Sequence, residues 1–167
     1  PLLFAFAIDS LEPKHKNSMI FKFADDVCLL HYIRSSNEDC LQDELNHISD
    51  WCCRNGLSLN ASKTNIVNFQ TKTSLSFCHI VDPISKITID VVHSIKLLGI
   101  IIDDRLSWKE QLDMIFKKVR KRIFLFHALR QAKAPGSVLS HVYCALLRSV
   151  MSYGFPAWCN VATSRLN

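Results

Sequence analysis

Residues 19–30 read MIFKFADDVCLL, and this stretch determines how the rest of the chain is interpreted. Two apolar runs, Met19–Phe23 and Val27–Ile33, are typical of β-strands, and only Ala24, Asp25 and Asp26 separate them. A connection this short joins antiparallel strands in a tight hairpin. Aspartate tolerates the unusual dihedrals of a turn, so no glycine is required there. The stretch therefore predicts a β-hairpin with two adjacent carboxylates at its tip.

Helical patterns flank the predicted hairpin. Pro1–Ile8 is read as the end of a buried helix. A second helix is expected from an N-cap at Ser36, with Glu38 and Asp39 in its first turn, to a stop at Asn55-Gly56. Its apolar residues recur at helical spacing, namely Leu41, Leu45, Ile48 and Cys52.

The middle of the chain is rich in β-branched residues. Thr64–Phe69 predicts one strand. Leu75–Ile102, interrupted at Asp82-Pro83, predicts two or three more, and the last of them is Ile95–Ile102 with Gly99 inside it.

The last third of the chain is predicted to be helical. A long helix spans Trp108–Lys133, a break follows at residues 134–136, and a second helix covers Val138–Trp158. The fold class is therefore α+β, with a strand-and-helix region over 1–104 and a basic helical region over 105–167. The inner face of the long helix is marked by Leu112, Ile115, Val119, Ile123 and Phe126.

The net charge of +5 is distributed unevenly. Residues 1–104 contain 9 basic and 13 acidic residues, whereas residues 105–167 contain 11 basic and 2 acidic residues. The first region is thus at −4 and the second at +9. A strongly basic region favours a polyanionic partner or, equally, a solvated surface.

Composition excludes several classes of protein. The hydrophobic fraction of 49% is typical of a packed globular domain. No stretch reaches the roughly 18 apolar residues that a membrane span needs. The 7 cysteines form no CxxC pair, so neither a disulfide framework nor a structural zinc site is indicated. An intracellular protein without a membrane partner is the expectation.

Two adjacent carboxylates at a hairpin tip suit a divalent metal ion, because magnesium prefers hard oxygen ligands. Nucleotidyl transfer uses two such ions about 3.5–4 Å apart. Successive strand residues point to opposite faces, so only one of Asp25 and Asp26 can face the metals directly unless the tip is irregular.

Six segments, one of which contains this pair, give it a context. Taken together, their order and spacing resemble the reverse transcriptases of non-LTR (LINE-type) retrotransposons, and the resemblance covers nearly the whole chain. The segments are Pro1–Phe4, Phe23–Asp26, Asn55–Asn60 with Lys63-Thr64, Lys96–Ile100, Arg105–Trp108 and Tyr153–Trp158.

The resemblance implies a C-terminal piece of the polymerase palm, followed by its helical thumb. Asp25 and Asp26 correspond to the metal-binding hairpin, the first as a direct ligand and the second in a less direct part. Lys63 lies where the family has a lysine that is thought to assist pyrophosphate departure as a general acid. Leu97–Ile101 resembles the hairpin that grips the primer end, and its grip residues are Leu98 and Gly99. There, Gly99 either lets nucleic acid approach the backbone or accommodates neighbouring packing.

The implied cofactors are two Mg²⁺ ions, with Mn²⁺ as an alternative. The implied partners are an RNA template, a DNA primer and deoxynucleoside triphosphates, and the family is expected in the nucleus and cytoplasm. Cations on the outer face of the long helix would follow phosphates without reading sequence. These cations are Lys117, Lys118, Arg120, Lys121 and Arg122.

Two other interpretations remain open at this stage. The chain could be a non-catalytic, nucleic-acid-binding remnant of a decayed element. It could also be an unrelated α+β domain whose basic helices bind a protein.

The resemblance places a third catalytic aspartate and the fingers domain before Pro1. We therefore predict that the isolated chain does not extend a DNA primer on an RNA template with either Mg²⁺ or Mn²⁺. The measurement is nucleotide incorporation, and template-dependent incorporation above a no-protein control would contradict the prediction.

Overall fold

The computed structural model describes residues 2–33, 40–69 and 79–164. Helices and short strands are mixed along the chain, in agreement with the predicted α+β class. The described residues form two compact units, the first within Pro1–Ile66 and Lys72–Val91 and the second within Val67–Thr71 and Val92–Asn167. The predicted division after residue 104 into palm-like and thumb-like regions stays a prediction, because compactness does not assign either role.

The first unit begins with α1 (Leu2–Asp9) and a hairpin of β1 (Ser18–Phe23) and β2 (Asp26–His31). The hairpin and the preceding helix are therefore confirmed, but the prediction that the helix is buried is wrong, since Phe6 is 78% exposed and only Ile8 of its described side chains is buried. The strands are antiparallel, with Ser18 opposite His31 and Phe23 opposite Asp26. One face of the hairpin packs through Ile20 and Leu29 against a core formed by Ile8, Leu11, Ile48 and Trp51.

Helix α2 (Leu41–Arg54) follows Cys40, whereas the predicted N-cap Ser36 and the acidic Glu38 and Asp39 lie outside the described residues. Its predicted end is confirmed. Gly56 adopts a φ of +67°, and the N–H groups of Gly56 and Leu57 donate to the carbonyls of Cys53 and Cys52 at 3.2 and 2.8 Å. This pair of bonds is the Schellman arrangement, which satisfies carbonyls that the helix would otherwise leave free.

The Glu44 carboxylate on α2 is fully buried and holds the preceding loop in place. It accepts the backbone N–H groups of Lys14 at 3.1 Å and His15 at 2.7 Å. Burial raises the pKa of Glu44, but hydrogen bonds from Lys14, the Ser18 side chain and His15 outweigh this effect and leave the pKa below its usual value.

The remaining elements of this part of the chain are short. A 3₁₀ turn, Ala61–Lys63, leads into β3 (Asn65–Val67), which pairs with β4 (Asp90–Val92). Strand β3 is thus shorter than the predicted Thr64–Phe69. Asp82 is buried and accepts the backbone N–H of Ser85 at 2.8 Å, which fixes the turn at the predicted interruption.

The second unit opens with β5 (Ser94–Leu97) and β6 (Ile100–Asp103), which pair antiparallel with Ile95 opposite Ile102. The prediction of a single strand over Ile95–Ile102 is therefore wrong. The chain reverses at Leu98-Gly99, as the hairpin implied by the resemblance requires.

Helix α3 (Lys109–Gln131) confirms the long predicted helix and most of its predicted inner face, since Ile115 is buried and Leu112, Val119 and Phe126 are half-buried. Gln111 and Ile115 are buried and Arg122 is half-buried, whereas Ile123 is 40% exposed. Residues 115 and 122 are about two turns apart and share a face. Of the five predicted inner-face residues, only Ile123 is therefore exposed, and the face also includes the buried Gln111 and the half-buried Arg122.

The predicted helix Val138–Trp158 is interrupted. It consists of α4 (Gly136–Val142), a π-helical segment (Tyr143–Arg148), α5 (Ser149–Ser152) and, after a break, α6 (Phe155–Ser164). The break is at Tyr153-Gly154, where Tyr153 is extended with ψ 120° and Gly154 has φ +63°. Among the described residues, no helix is both long enough and apolar enough to cross a membrane.

Stability in the first unit should depend on the ionised Glu44. We expect Glu44→Gln to lower the free energy of unfolding by about 2 kcal/mol at pH 7, because an amide cannot replace a charged acceptor of backbone N–H groups. The folded pKa is lowered, so the stabilisation is present above the ordinary value of 4.5 and is lost as pH falls through the folded pKa. The difference between wild type and variant should therefore shrink below pH 4.5.

Urea unfolding across a pH series measures this difference. Glu12→Gln is the matched control, since Glu12 is exposed and should respond little. If the difference in the free energy of unfolding between wild type and Glu44→Gln does not change with pH, the ionised Glu44 carboxylate is not the source of the stabilisation.

Candidate catalytic hairpin and nucleic-acid interface

The two predicted metal ligands lie at the tip of the β1–β2 hairpin. Ala24 and Asp25 form the turn, and Asp26 opens β2 opposite Phe23. Both carboxylates are exposed. The unusual dihedral falls on Ala24, with a φ of +52°, and not on either aspartate as the sequence suggested. A non-glycine residue in this region costs on the order of 1–3 kcal/mol, and such strain is concentrated at functional sites.

The two carboxylates do not simply point to opposite faces of one strand, because Asp25 lies in the turn and only Asp26 belongs to β2. Residues directly opposite each other in a hairpin share a face, so Asp26 lies on the same face as Phe23 and, two pairs further along the strands, Phe21 and Cys28. This face is open: Phe23 is 64% exposed and Phe21 is 57% exposed. Asp26 therefore belongs to the exposed side of the hairpin, while Asp25 occupies the turn.

The described residues form no complete metal site. They contain no group of three or more His, Cys, Asp or Glu side chains that could hold an ion. Lys63 is exposed at the end of its 3₁₀ turn, and its side chain forms no ion pair with either aspartate among these residues. The hairpin thus brings Asp25 and Asp26 together, whereas Lys63 does not contact them.

In the second unit, the predicted grip residues form the β5–β6 turn. Leu98 and Gly99 have φ values of +47° and +84°, so both central residues are left-handed, as a two-residue hairpin of the I′ class requires. Leucine is strained in this region. The Tyr153 hydroxyl donates to the Leu98 carbonyl at 2.6 Å and holds the strained peptide.

Tyr153 also explains the glycine of this turn. A Cβ added at Gly99 would lie 3.3 Å from the Tyr153 ring, and a Cβ at Gly154 would lie 2.3 Å from Ile100 Cδ1. Both glycines therefore allow the Tyr153-Gly154 bend to pack against the hairpin. The Trp158 indole N–H donates to the Tyr153 carbonyl at 3.2 Å and closes the bend. The close approach at Gly99 is thus made by a protein side chain.

The predicted helix Val138–Trp158 included Tyr153 as a helical residue, and this was wrong. The tyrosine instead ends that helix and contacts a turn 55 residues away. The Tyr-Gly pair was the available signal, because glycine after the last helical residue is a common stop.

The predicted cations of α3 fall into two sets. Lys117, Lys118, Arg120 and Lys121 are exposed, as expected for an outer surface. Arg122 is different: its Nη1 donates to the Leu146 carbonyl of the π-helical segment at 2.9 Å. The expectation that all five cations lie on the outer face of the helix is therefore wrong for Arg122.

We expect Tyr153→Phe to loosen the β5–β6 turn. Losing one hydrogen bond should lower the free energy of unfolding by about 1 kcal/mol. Amide hydrogen exchange at Gly99 and Ile100 should accelerate more than exchange elsewhere, because a weakened local interaction promotes local opening.

Tyr143→Phe removes an exposed hydroxyl that forms no hydrogen bond with the described residues, so it is the matched control. If the Gly99 and Ile100 amides are equally protected from exchange in both variants, the Tyr153–Leu98 hydrogen bond does not stabilise the turn.

Comparison with known proteins agrees with these features. A family model described as reverse transcriptase (RNA-dependent DNA polymerase) matches residues 1–102. The chain is 26% identical over 168 residues to the probable RNA-directed DNA polymerase from transposon X-element of Drosophila melanogaster. The alignment covers 95% of this chain and 18% of that protein, so the chain spans less than a fifth of the relative's length. No solved structure matches significantly.

The family match includes the hairpin with Asp25 and Asp26, Lys63 and the Leu98-Gly99 turn. It extends over well more than half of the chain. The chain therefore belongs to the reverse transcriptase (RNA-dependent DNA polymerase) family.

Proposed function

We propose that the chain is part of an RNA-directed DNA polymerase of a non-LTR retrotransposon and contributes to nucleotide transfer onto the 3′-hydroxyl of a primer. The observation that carries this proposal is the exposed pair Asp25 and Asp26 at a strained hairpin tip, inside the matched residues 1–102. The name of the Drosophila relative supports the same activity and a transposon origin.

Reverse transcriptases use divalent metal ions, and the donor set at the tip fits such an ion because carboxylate oxygens suit magnesium. We assign Asp25 as the direct ligand and Asp26 to a supporting part, with a further carboxylate from another segment of the parent polypeptide. When bound, two Mg²⁺ or Mn²⁺ ions would activate the primer hydroxyl and screen the leaving pyrophosphate.

The other residues of this chain would position the nucleic acid. Exposed Lys63 can neutralise or protonate a leaving phosphate, as a general acid does. The Leu98-Gly99 turn, which is held by the Tyr153 hydroxyl, would contact the end of the primer. The exposed cations of α3 would run along the phosphates of an RNA template paired with a DNA primer, and deoxynucleoside triphosphates are the substrates implied by the family.

The catalytic assignment is tested in the full-length parent polypeptide. We expect Asp25→Ala to lower kcat about a thousandfold or more, because metal-centred charge stabilisation is worth several kcal/mol. Affinity for the primer–template should change much less, because the interaction that is removed belongs to the transition state. Asp26→Ala should be harmful to a smaller degree.

Asp50→Ala is the matched control, since Asp50 is an exposed carboxylate on α2 of the same unit. Primer extension and primer–template affinity are measured in parallel for all variants. Near-normal turnover in Asp25→Ala would show that the metal-site assignment is wrong.

Nucleic-acid binding is tested on the 167-residue chain with an RNA–DNA hybrid. Lys117 and Lys121 are one turn apart on the exposed side of α3. Replacing both by Gln should reduce the slope of log affinity against log salt by about two units, because each neutralised phosphate contributes roughly 0.9 to that slope. Arg122 is left intact because it bonds to Leu146.

The control replaces Lys16 and Lys86 by Gln, which changes the net charge equally at exposed positions of the first unit. Affinity should also be nearly indifferent to the base sequence, since phosphates carry no base information. An equal slope in the two double variants, with both folded by circular dichroism, would favour a protein partner for α3.

A further inference from the structure

The contact between the β1–β2 hairpin and the core of the first unit ends before the hairpin tip is reached. Ile20 and Leu29, which pair with each other, are the hairpin residues that pack against this core. Asp25 lies five residues beyond Ile20, which is roughly 16 Å of extended chain. The outer face adds no support over this distance, since Phe21 and Phe23 are 57% and 64% exposed. A two-stranded hairpin without packing is only marginally stable, so the tip needs a further contact to hold its position.

Lys22 provides that contact. It lies on the same inner face as Ile20, three residues before Asp25, and its Nζ donates to the Asp9 carbonyl at 2.8 Å. Among the described residues, no other group of residues 22–27 forms a hydrogen bond outside the hairpin. The bond therefore shortens the unsupported part of β1 and its turn from five residues to three.

The acceptor of this bond suits a cation. Asp9 is the last residue of α1, and the carbonyls at the end of a helix carry partial negative charge that favours an ammonium group. The preceding carbonyls of Ala7 and Ile8 accept the Ser10 hydroxyl at 3.3 Å and the Leu11 N–H at 3.1 Å. The Asp9 carbonyl, in contrast, receives its donor from the hairpin. The end of α1 and the hairpin are thus joined directly.

We propose that Lys22 is a positioning residue that holds the hairpin tip, with Asp25 and Asp26, against the end of α1 during nucleotide transfer. Its effect passes through β1 to the carboxylates and requires no contact with the substrate. The inference rests on the proposed function, because a fixed tip matters for the reaction only if the two aspartates take part in it. A displacement of about 1 Å in a reacting group lowers a rate by up to about a hundredfold.

The first test measures the hairpin tip in the 167-residue chain, without metal or nucleic acid. Lys22→Met keeps most of the apolar stem and removes the donor, whereas Lys22→Arg keeps a cation with several donors. Amide hydrogen exchange at Phe23 and Asp26, the pair that closes the turn, should accelerate about tenfold in Lys22→Met. It should return towards the wild-type rate in Lys22→Arg, and exchange in α2 should stay unchanged in both variants.

The second test measures primer extension in the full-length parent polypeptide. Lys22→Met should lower kcat about tenfold and leave primer–template affinity nearly unchanged, because the loss concerns the geometry of the reacting groups. Lys22→Arg should restore most of the rate. Lys16→Met is the matched control in both tests, since Lys16 is an exposed lysine of the preceding loop and its replacement changes the net charge equally.

The proposal is overturned if exchange at the tip is the same in Lys22→Met, Lys16→Met and wild type. Faster exchange throughout the first unit, including α2, overturns it as well, because the bond then stabilises the unit as a whole. An unchanged kcat in Lys22→Met has the same consequence, and an inactive Asp25→Ala variant then shows that the proposed function stands without this role for Lys22. If Asp25→Ala is itself active, the proposed function fails, and the role of Lys22 fails with it.

Discussion

The course of the second unit depends on the Asp103 carboxylate. It accepts the backbone N–H groups of Arg105, Ser107 and Trp108 at 3.1, 2.9 and 2.8 Å, and it thereby connects the end of β6 to the start of α3. Burial raises the pKa of Asp103, but these N–H groups and the Ser107 hydroxyl outweigh it and keep the group ionised. Without these hydrogen bonds the start of α3 would not be fixed relative to β6. Gln111, one turn further along the helix, would then not be held beside Ile101.

Three tight turns show how this fold holds strained backbone. Trp108, at the N-cap of α3 with φ +58°, is fixed by Asp103, and Leu98 is fixed by the Tyr153 hydroxyl. Ala24 is different, because no side chain among the described residues hydrogen-bonds to its turn. The position of Asp25 and Asp26 therefore depends on the β1–β2 ladder and on the packing of the hairpin behind it, without a side-chain hydrogen bond to the turn among the described residues. A tip supported in this way can adjust when a metal ion or a neighbouring strand approaches.

The sequence predicted the elements whose signals are local. The hairpin at residues 19–30, the stop at Asn55-Gly56 and the long helix α3 all rest on patterns within a few residues, and all three are confirmed. The carboxylate pair could be located for the same reason. What failed depends on distant partners. No sequence pattern around Tyr153 indicates that its hydroxyl binds the Leu98 carbonyl. Likewise, no pattern around Ala24 indicates that the alanine, and not an aspartate, has the positive φ.

The inner face of α3 also contains polar residues that the prediction omitted. Gln111, Ile115, Lys118 and Arg122 follow each other at spacings of four, three and four residues, which is the spacing of one helical face. A search for apolar periodicity passes over this face, because three of its four residues are polar. Two of them have protein partners that compensate for burial, a backbone N–H for Gln111 and a carbonyl for Arg122. Polar residues at core spacing on a helix are therefore compatible with burial where neighbouring backbone groups supply their hydrogen-bond partners.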